Sequence, residues 1–147
     1  HVGIKPELLD LEISETAMSN DSKAIKKLYD VHQKNVHITL DNYGSKATSL
    51  ISLKRFPISA VKMDRTFVRN IVKDSTDRAI VKHTIQLAND LGLKTIAQGV
   101  ETQEQLYLLK NWGCNEAQGY LFSRALRVDA FSDYVLEFKP TITKNGF

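Results

Sequence analysis

Five short apolar runs punctuate the chain, and each gives way to a polar or charged residue. They are Leu8-Leu9-Asp10-Leu11 into Glu12, Val36-His37-Ile38-Thr39-Leu40 into Asp41-Asn42, Ile58-Ser59-Ala60-Val61 into Lys62, Lys94-Thr95-Ile96-Ala97 into Gln98, and the weaker Asn115-Glu116-Ala117 into Gln118. Their length and their content of β-branched or small apolar residues predict strands. Between them the period lengthens. Ile25, Leu28, Tyr29 and His32 share a helical face behind the cap oxygens of Asn20-Asp21-Ser22. Ile80, Val81, Thr84, Ile85, Leu87 and Ala88 form a second face, with Gly92 placed to end that helix. Thr102 and Gln105 have capping-box spacing ahead of Leu106, Leu108 and Leu109. A last helix starts at Asp129, carries Phe131, Val135 and Phe138, and stops before Pro140, leaving 140–147 as a frayed tail.

Strands and helices in strict alternation predict βαβ units on a parallel sheet, an α/β fold. The polar residues fall at the C-terminal ends of the strands, where a (β/α) barrel places its chemistry. A doubly wound sheet places them there too, and the pattern alone does not choose. The absence of a Gly-rich phosphate loop after the first strand argues against a nucleotide-binding doubly wound fold. No internal repeat or linker interrupts the pattern.

Composition narrows the classes further. The chain has 147 residues, 42% of them hydrophobic, which suits one globular domain with a sizeable core. A net charge of +3 is mild, and only Lys26-Lys27 and Lys54-Arg55 are adjacent basic pairs, so the charges read as a solvated surface rather than a polynucleotide stripe. The lone Cys114 excludes an internal disulfide, suits a reducing cytoplasmic compartment and reads as a small buried residue. No apolar run has transmembrane length, so no membrane contact is expected of this segment. His1, His32, His37 and His83 have no ligand spacing, and Trp112 and the phenylalanines read as core or helix-packing residues. The opening His1-Val2-Gly3 reads as mid-chain sequence, so the chain is expected to be part of a longer protein.

Read in order, five segments resemble the second part of an EAL domain, the bacterial family that hydrolyses cyclic di-GMP. Leu9 to Thr16 (LDLEISET) is similar to LELEITES, and Leu40-Asp41-Asn42-Tyr43-Gly44 resembles LDDFG. Val61 to Val68 (VKMDRTFV) resembles LKIDRSFV, and Ile96 to Thr102 (IAQGVET) resembles IAEGVET. Gly113 to Arg124 (GCNEAQGYLFSR) resembles GCDxxQGYLFSR. The similarity runs from Leu9 to Leu126, most of the chain.

The resemblance implies a TIM-type (β/α) barrel phosphodiesterase with two Mg or Mn ions, which clamp the phosphodiester and lower the pKa of an attacking water. Of such a barrel, roughly 200–250 residues when complete, residues 1–139 would supply the C-terminal five or six strand–helix units. By position, Glu12 and Asp41 are implied metal ligands, with Asn42 in a third ligand position. Lys62 is implied to steady the attacking water or the phosphate, and Gln98 takes the place of a glutamate that serves as ligand or general base. Asp64, Glu101 and Gln118 are implied to line the cyclic di-GMP site. Glu15 is implied to anchor the loop after Gly44, which couples the site to the dimer surface. The family's Glu-Ala-Leu motif and a downstream asparagine belong N-terminal to this segment. A partial barrel leaves open sheet edges, so the chain is expected to form a homo-oligomer through them.

Two departures bear on activity. Asn42 stands where the family has a second aspartate and Gln98 where it has a glutamate; each amide keeps a carbonyl oxygen but loses a negative charge and cannot accept a proton. Lys46-Ala47 also departs from the family's Gly-Tyr. The expectation is a catalytically degenerate, cyclic di-GMP-binding or regulatory module. Two alternatives stand beside it: an active phosphodiesterase giving pGpG, with Asn42 and Gln98 coordinating through their carbonyls, and a protein-binding scaffold without nucleotide.

Overall fold

The computed structural model describes residues 3–14, 22–44, 53 and 56–138. Five strands form one sheet: β1 (Asp10–Ser14), β2 (His37–Tyr43), β3 (Ala60–Met63), β4 (Lys94–Gln98) and β5 (Glu116–Gln118). Helices α1 (Ser22–His32), α2 (Arg65–Asn70), α3 (Ser75–Asp90), α4 (Gln103–Asn111) and α5 (Val128–Glu137) complete the elements, with a 3-10 turn at Pro6–Leu8. The strands lie side by side in chain order and every neighbouring pair is parallel.

The choice that the sequence pattern left open is settled by where the core lies. The core residues contributed by strands are Ile38 and Leu40 on β2, Val61 and Met63 on β3, and Ala97 on β4, with Ile13 and Ala117 packed against them. The strand register places these side by side, so they share one face of the sheet. Val68 of α2, Val81 and Ile85 of α3 and Leu109 of α4 join that core, as do Ile25 and Leu28 of α1 at its margin. The core-forming helices therefore cover one face. A doubly wound sheet reverses its strand order at a switch point and carries helices on both faces. Among the described residues this sheet does neither, and its progression is that of a barrel wall.

Local chemistry explains the ends of the elements. Thr102 and Gln105 make both halves of a capping box at the start of α4. Asp74 caps α3, accepting from the amides of Thr76 and Asp77. Gly92, at φ +72°, lets the chain leave α3, with Leu93 N–H donating back to Ala88 O over 2.9 Å. The pattern had not marked α2, which occupies most of the interval between β3 and α3. Cys114 is buried, as its neighbours suggested, and desolvation pushes its thiol pKa up from the usual 9.0.

Several expectations need correction. Glu12, Asp41, Asn42 and Lys62 lie within their strands rather than just beyond them, because ladder pairing continues past the last apolar residue. Helix α5 forms one residue earlier than expected, yet Phe131 and Val135 are more than half exposed and Phe138 is exposed too. These residues are not core among the described residues. Asn20, Asp21, Glu15, Lys46, Ala47 and the 140–147 tail lie outside the described residues.

Candidate functional site

On the face away from the helical core, the register lines up Glu12, Thr39, Asp41, Lys62, Ile96, Gln98 and Gln118. Strand alternation sends these side chains together, and the chain direction gathers the polar ones toward the C-terminal edge. Lys62 is the central cation. It is buried, and its Nζ donates to Glu12 Oε1 at 2.7 Å, spanning two strands to reach a half-exposed carboxylate. One rung lower, the buried Thr39 hydroxyl donates to the Asp10 carboxylate, 2.7 Å from Oδ2 and 2.9 Å from Oδ1.

Asp41 and Asn42 share a face because of an irregularity in β2. Leu40 is paired with Val61 and Tyr43 with Met63, so two residues of β2 oppose the single Lys62 of β3. This is a β-bulge, and it interrupts the alternation that would send consecutive side chains to opposite faces. Asn42 takes φ +55°, a left-handed conformation that Asn and Asp tolerate better than other side chains. Its Nδ2 donates to Asp41 Oδ2 at 2.5 Å. Asp41 Oδ1 is the only buried side-chain oxygen or nitrogen among the described residues without a hydrogen-bond partner.

The loops after β3, β4 and β5 are joined largely through backbone. Gln98 and Gln118 end their strands in register. Gln118 O accepts from Gly99 N at 2.8 Å and Val100 N at 3.0 Å, and Leu121 N donates to Val100 O at 3.0 Å. Gly119 sits so close that a Cβ there would lie 2.1 Å from Val100 O. Asp64 caps α2, its Oδ1 accepting from both the amide and the hydroxyl of Thr66 at 2.7 Å. Glu101 is exposed on the loop beyond β4, with its amide held by Gln105 Oε1 at 2.7 Å.

The structure thus brings Glu12 into contact with Lys62, Asp41 with Asn42, and Gln98 alongside Gln118, with Asp64 and Glu101 on the adjoining loops. Sequence reasoning missed three things: the bulge, the Asp10–Thr39 pair and the long-range role of Gln105. The capping job of Asp64 was readable from Asp64-Arg65-Thr66 ahead of apolar Phe67 and Val68. The bulge and the Gln105 contacts had no local signal. For a hard divalent ion the donor chemistry is suitable, with carboxylates at Glu12 and Asp41, an amide at Asn42 and an orphaned oxygen on Asp41. It is reduced in charge, and among the described residues no three His, Cys, Asp or Glu side chains form a metal-holding group.

The sequence profile of the EAL domain matches residues 1–125. Cyclic di-GMP phosphodiesterase NbdA of Pseudomonas aeruginosa is 36% identical over 138 residues, covering 93% of this chain and 18% of that protein. Among solved structures, the MucR phosphodiesterase of the same organism, in complex with cyclic di-GMP, superposes with a TM-score of 0.81 at 37% identity, covering 87% of this chain and 52% of that one. Klebsiella pneumoniae BlrP1, solved with manganese and cyclic di-GMP, gives 0.75 at 31% identity, covering 83% and 31%. The chain spans about a fifth of the length of the curated relatives it matches. No helix among the described residues is long and apolar enough to cross a membrane.

Proposed function

This chain belongs to the EAL domain family, and on that premise we propose that residues 1–139 are the C-terminal portion of a cyclic di-GMP-binding domain whose hydrolytic centre is degenerate. The carrying observation is that the polar face pairs its acids with side chains of its own. Lys62 neutralises Glu12 and Asn42 hydrogen-bonds one oxygen of Asp41, so each carboxylate already has a partner within the chain, while Asp41 keeps one buried oxygen unsatisfied. In a working two-metal centre, clustered acids repel until the ions neutralise them, and that repulsion makes the ions bind. Here part of that driving force is gone. Gln98 removes the remaining base, since an amide accepts no proton at neutral pH.

Glu12, Asp41 and Asn42 would hold Mg or Mn if an ion binds, and the ion would supply charge to a bound phosphodiester. Asp41 Oδ1 is the donor left over for it. That same oxygen supports the second reading, an active phosphodiesterase with weakened metal affinity. Nucleotide recognition rests on other groups: Gln118 at the end of β5, whose carbonyl accepts from Gly99 N and Val100 N, and Glu101 on the loop beyond β4, whose amide Gln105 holds. Asp64 joins them, although one of its oxygens is already engaged in capping α2.

Calorimetry of cyclic di-GMP binding to the full-length protein, with and without Mn²⁺, tests the proposal when the same samples are assayed for linear pGpG. Metal-independent binding without pGpG is the expected result. Turnover abolished by both Asn42→Ala and Gln98→Ala would establish the active reading, and neither binding nor turnover would leave a protein-binding scaffold. The open edges of β1 and β5 carry a further part of the proposal, association of two copies of this chain. A compact monomer at high concentration by sedimentation would refute that part.

A further inference from the structure

We propose that Gln105 is a positioning residue for the ligand site: one buried amide ties the loop carrying Glu101 to the helix that follows Lys62 and Asp64. The proposal rests on the cyclic di-GMP reading for the identity of the ligand but not for the tether itself. Gln105 is 4% exposed. Its Oε1 accepts from Glu101 N at 2.7 Å and Thr102 N at 3.0 Å, while its Nε2 donates to Val68 O at 3.3 Å and Arg69 O at 3.1 Å.

A capping box alone does not require this arrangement. Its side-chain half needs only an acceptor, which a glutamate supplies as well as a glutamine. The two donor hydrogens reach 36 and 37 residues back in sequence, to carbonyls in the last turn of α2. Those carbonyls have no partner inside so short a helix and need one from outside. Just beyond α2, Arg78 serves two further carbonyls in the same way, donating to Ile71 O and Val72 O.

The loop after β4 is pressed against the start of α2 as well. At Gly99, φ +80°, a Cβ would lie 2.8 Å from Arg65 Cβ. Contact at Gly99 and the amide of Gln105 therefore hold the loop at both ends of α2. Asp64 caps that helix at one end and Gln105 stitches the other to the amide of Glu101, so a shift of either loop carries the other with it. Gln105 itself is buried beneath the loop and acts on ligand only through Glu101.

The test compares wild type, Thr102→Ala, Gln105→Ala and Gln105→Glu in the full-length protein by amide hydrogen exchange and by cyclic di-GMP affinity. Gln105→Ala is expected to speed exchange at the Glu101 and Thr102 amides, and to weaken affinity, by about tenfold each, the scale of losing one buried hydrogen-bonding group. Thr102→Ala, which removes only the cap, is expected to leave affinity within about threefold. In a Glu101→Ala background the added loss from Gln105→Ala should shrink to less than about threefold, since residues acting through one another are not additive. Full multiplication of the two losses, or unchanged exchange at Glu101 and Thr102, overturns the proposal. Gln105→Glu keeps the acceptor but lacks the donors, and serves if the alanine variant does not fold. A wild type that binds no cyclic di-GMP, with exchange still accelerated in the variant, sinks the nucleotide reading and leaves the tether standing.

Discussion

Between β1 and β3 the polar face is held by side chains bonding side chains, whereas beyond β4 and β5 it is held by backbone and one buried amide. Lys62 reaches Glu12, and Asn42 reaches Asp41, through groups whose charge or polarity defines the bond. Gln98, Gly99, Val100 and Gln118 are fixed by peptide hydrogen bonds that ignore what the side chains are. In the first region a change of residue alters both chemistry and geometry. In the second, a glutamine can stand where a glutamate is expected without moving the chain. On the reading proposed above, loss of catalytic charge and retention of a shaped nucleotide surface are therefore compatible within one fold.

The largest effect that would sharpen this contrast is restoration of the lost charges. Asn42→Asp with Gln98→Glu in the full-length protein is expected to raise Mn²⁺-dependent pGpG formation by about 10²-fold or more, the scale of regaining a positioned base. The left-handed backbone at position 42 accepts aspartate as readily as asparagine. An unchanged turnover rate would place the defect elsewhere.

Next in size is an attack on the backbone-held side. Gly119→Ala places a Cβ 2.1 Å from Val100 O and 2.4 Å from its nitrogen. A loss of about 3 kcal/mol in urea unfolding is expected, the upper range for overpacking. A cost below about 1 kcal/mol would mean that the loops yield easily, and the contrast with β1–β3 would fail.

The side-chain-held region should respond to chemistry instead. Lys62→Ala removes the cation from a partner that is half exposed, so about 1 kcal/mol of stability is expected to be lost. Lys62→Met, which fills the same space without a charge to desolvate, should recover most of it. Chemical denaturation of the two variants distinguishes packing from pairing, and equal losses would show that the ion pair dominates.

The smallest effect is a pH dependence. Burial raises the Cys114 thiol pKa above 9.0, so above that pH the unfolded chain loses the proton before the folded one does. Stability is thus at its full value below about pH 9 and falls as pH rises toward the folded pKa. Wild type should lose more stability than Cys114→Ala between pH 8 and 10 in parallel urea titrations, and coincident slopes would refute this.

Much of the wall was legible in the chain. The apolar runs through Ile38 and Leu40, and through Ala60 and Val61, marked strands, and the Thr102–Gln105 spacing marked a helix start that formed as read. The motifs around Glu12, Asp41, Lys62, Gln98 and Gln118 identified the family before any geometry. What escaped was the short helix α2, whose six residues are too few for a period to declare itself. The exposure of Phe131 and Val135 also escaped, since an apolar helical stripe says that something should cover it and not what.

By itself the sequence determined the strand and helix alternation, the family, and the two amides that replace carboxylates, because each is a matter of residue identity and local spacing. Only the tertiary structure decided that the sheet is wound in one direction with its core on one face. It alone paired Glu12 with Lys62, set Asp41 and Asn42 together opposite Lys62 through a register shift, and placed Gln105 beneath the loop carrying Glu101. Those contacts join residues 36 to 50 positions apart, or depend on a register shift between strands. Periodicity along one strand carries no information about either.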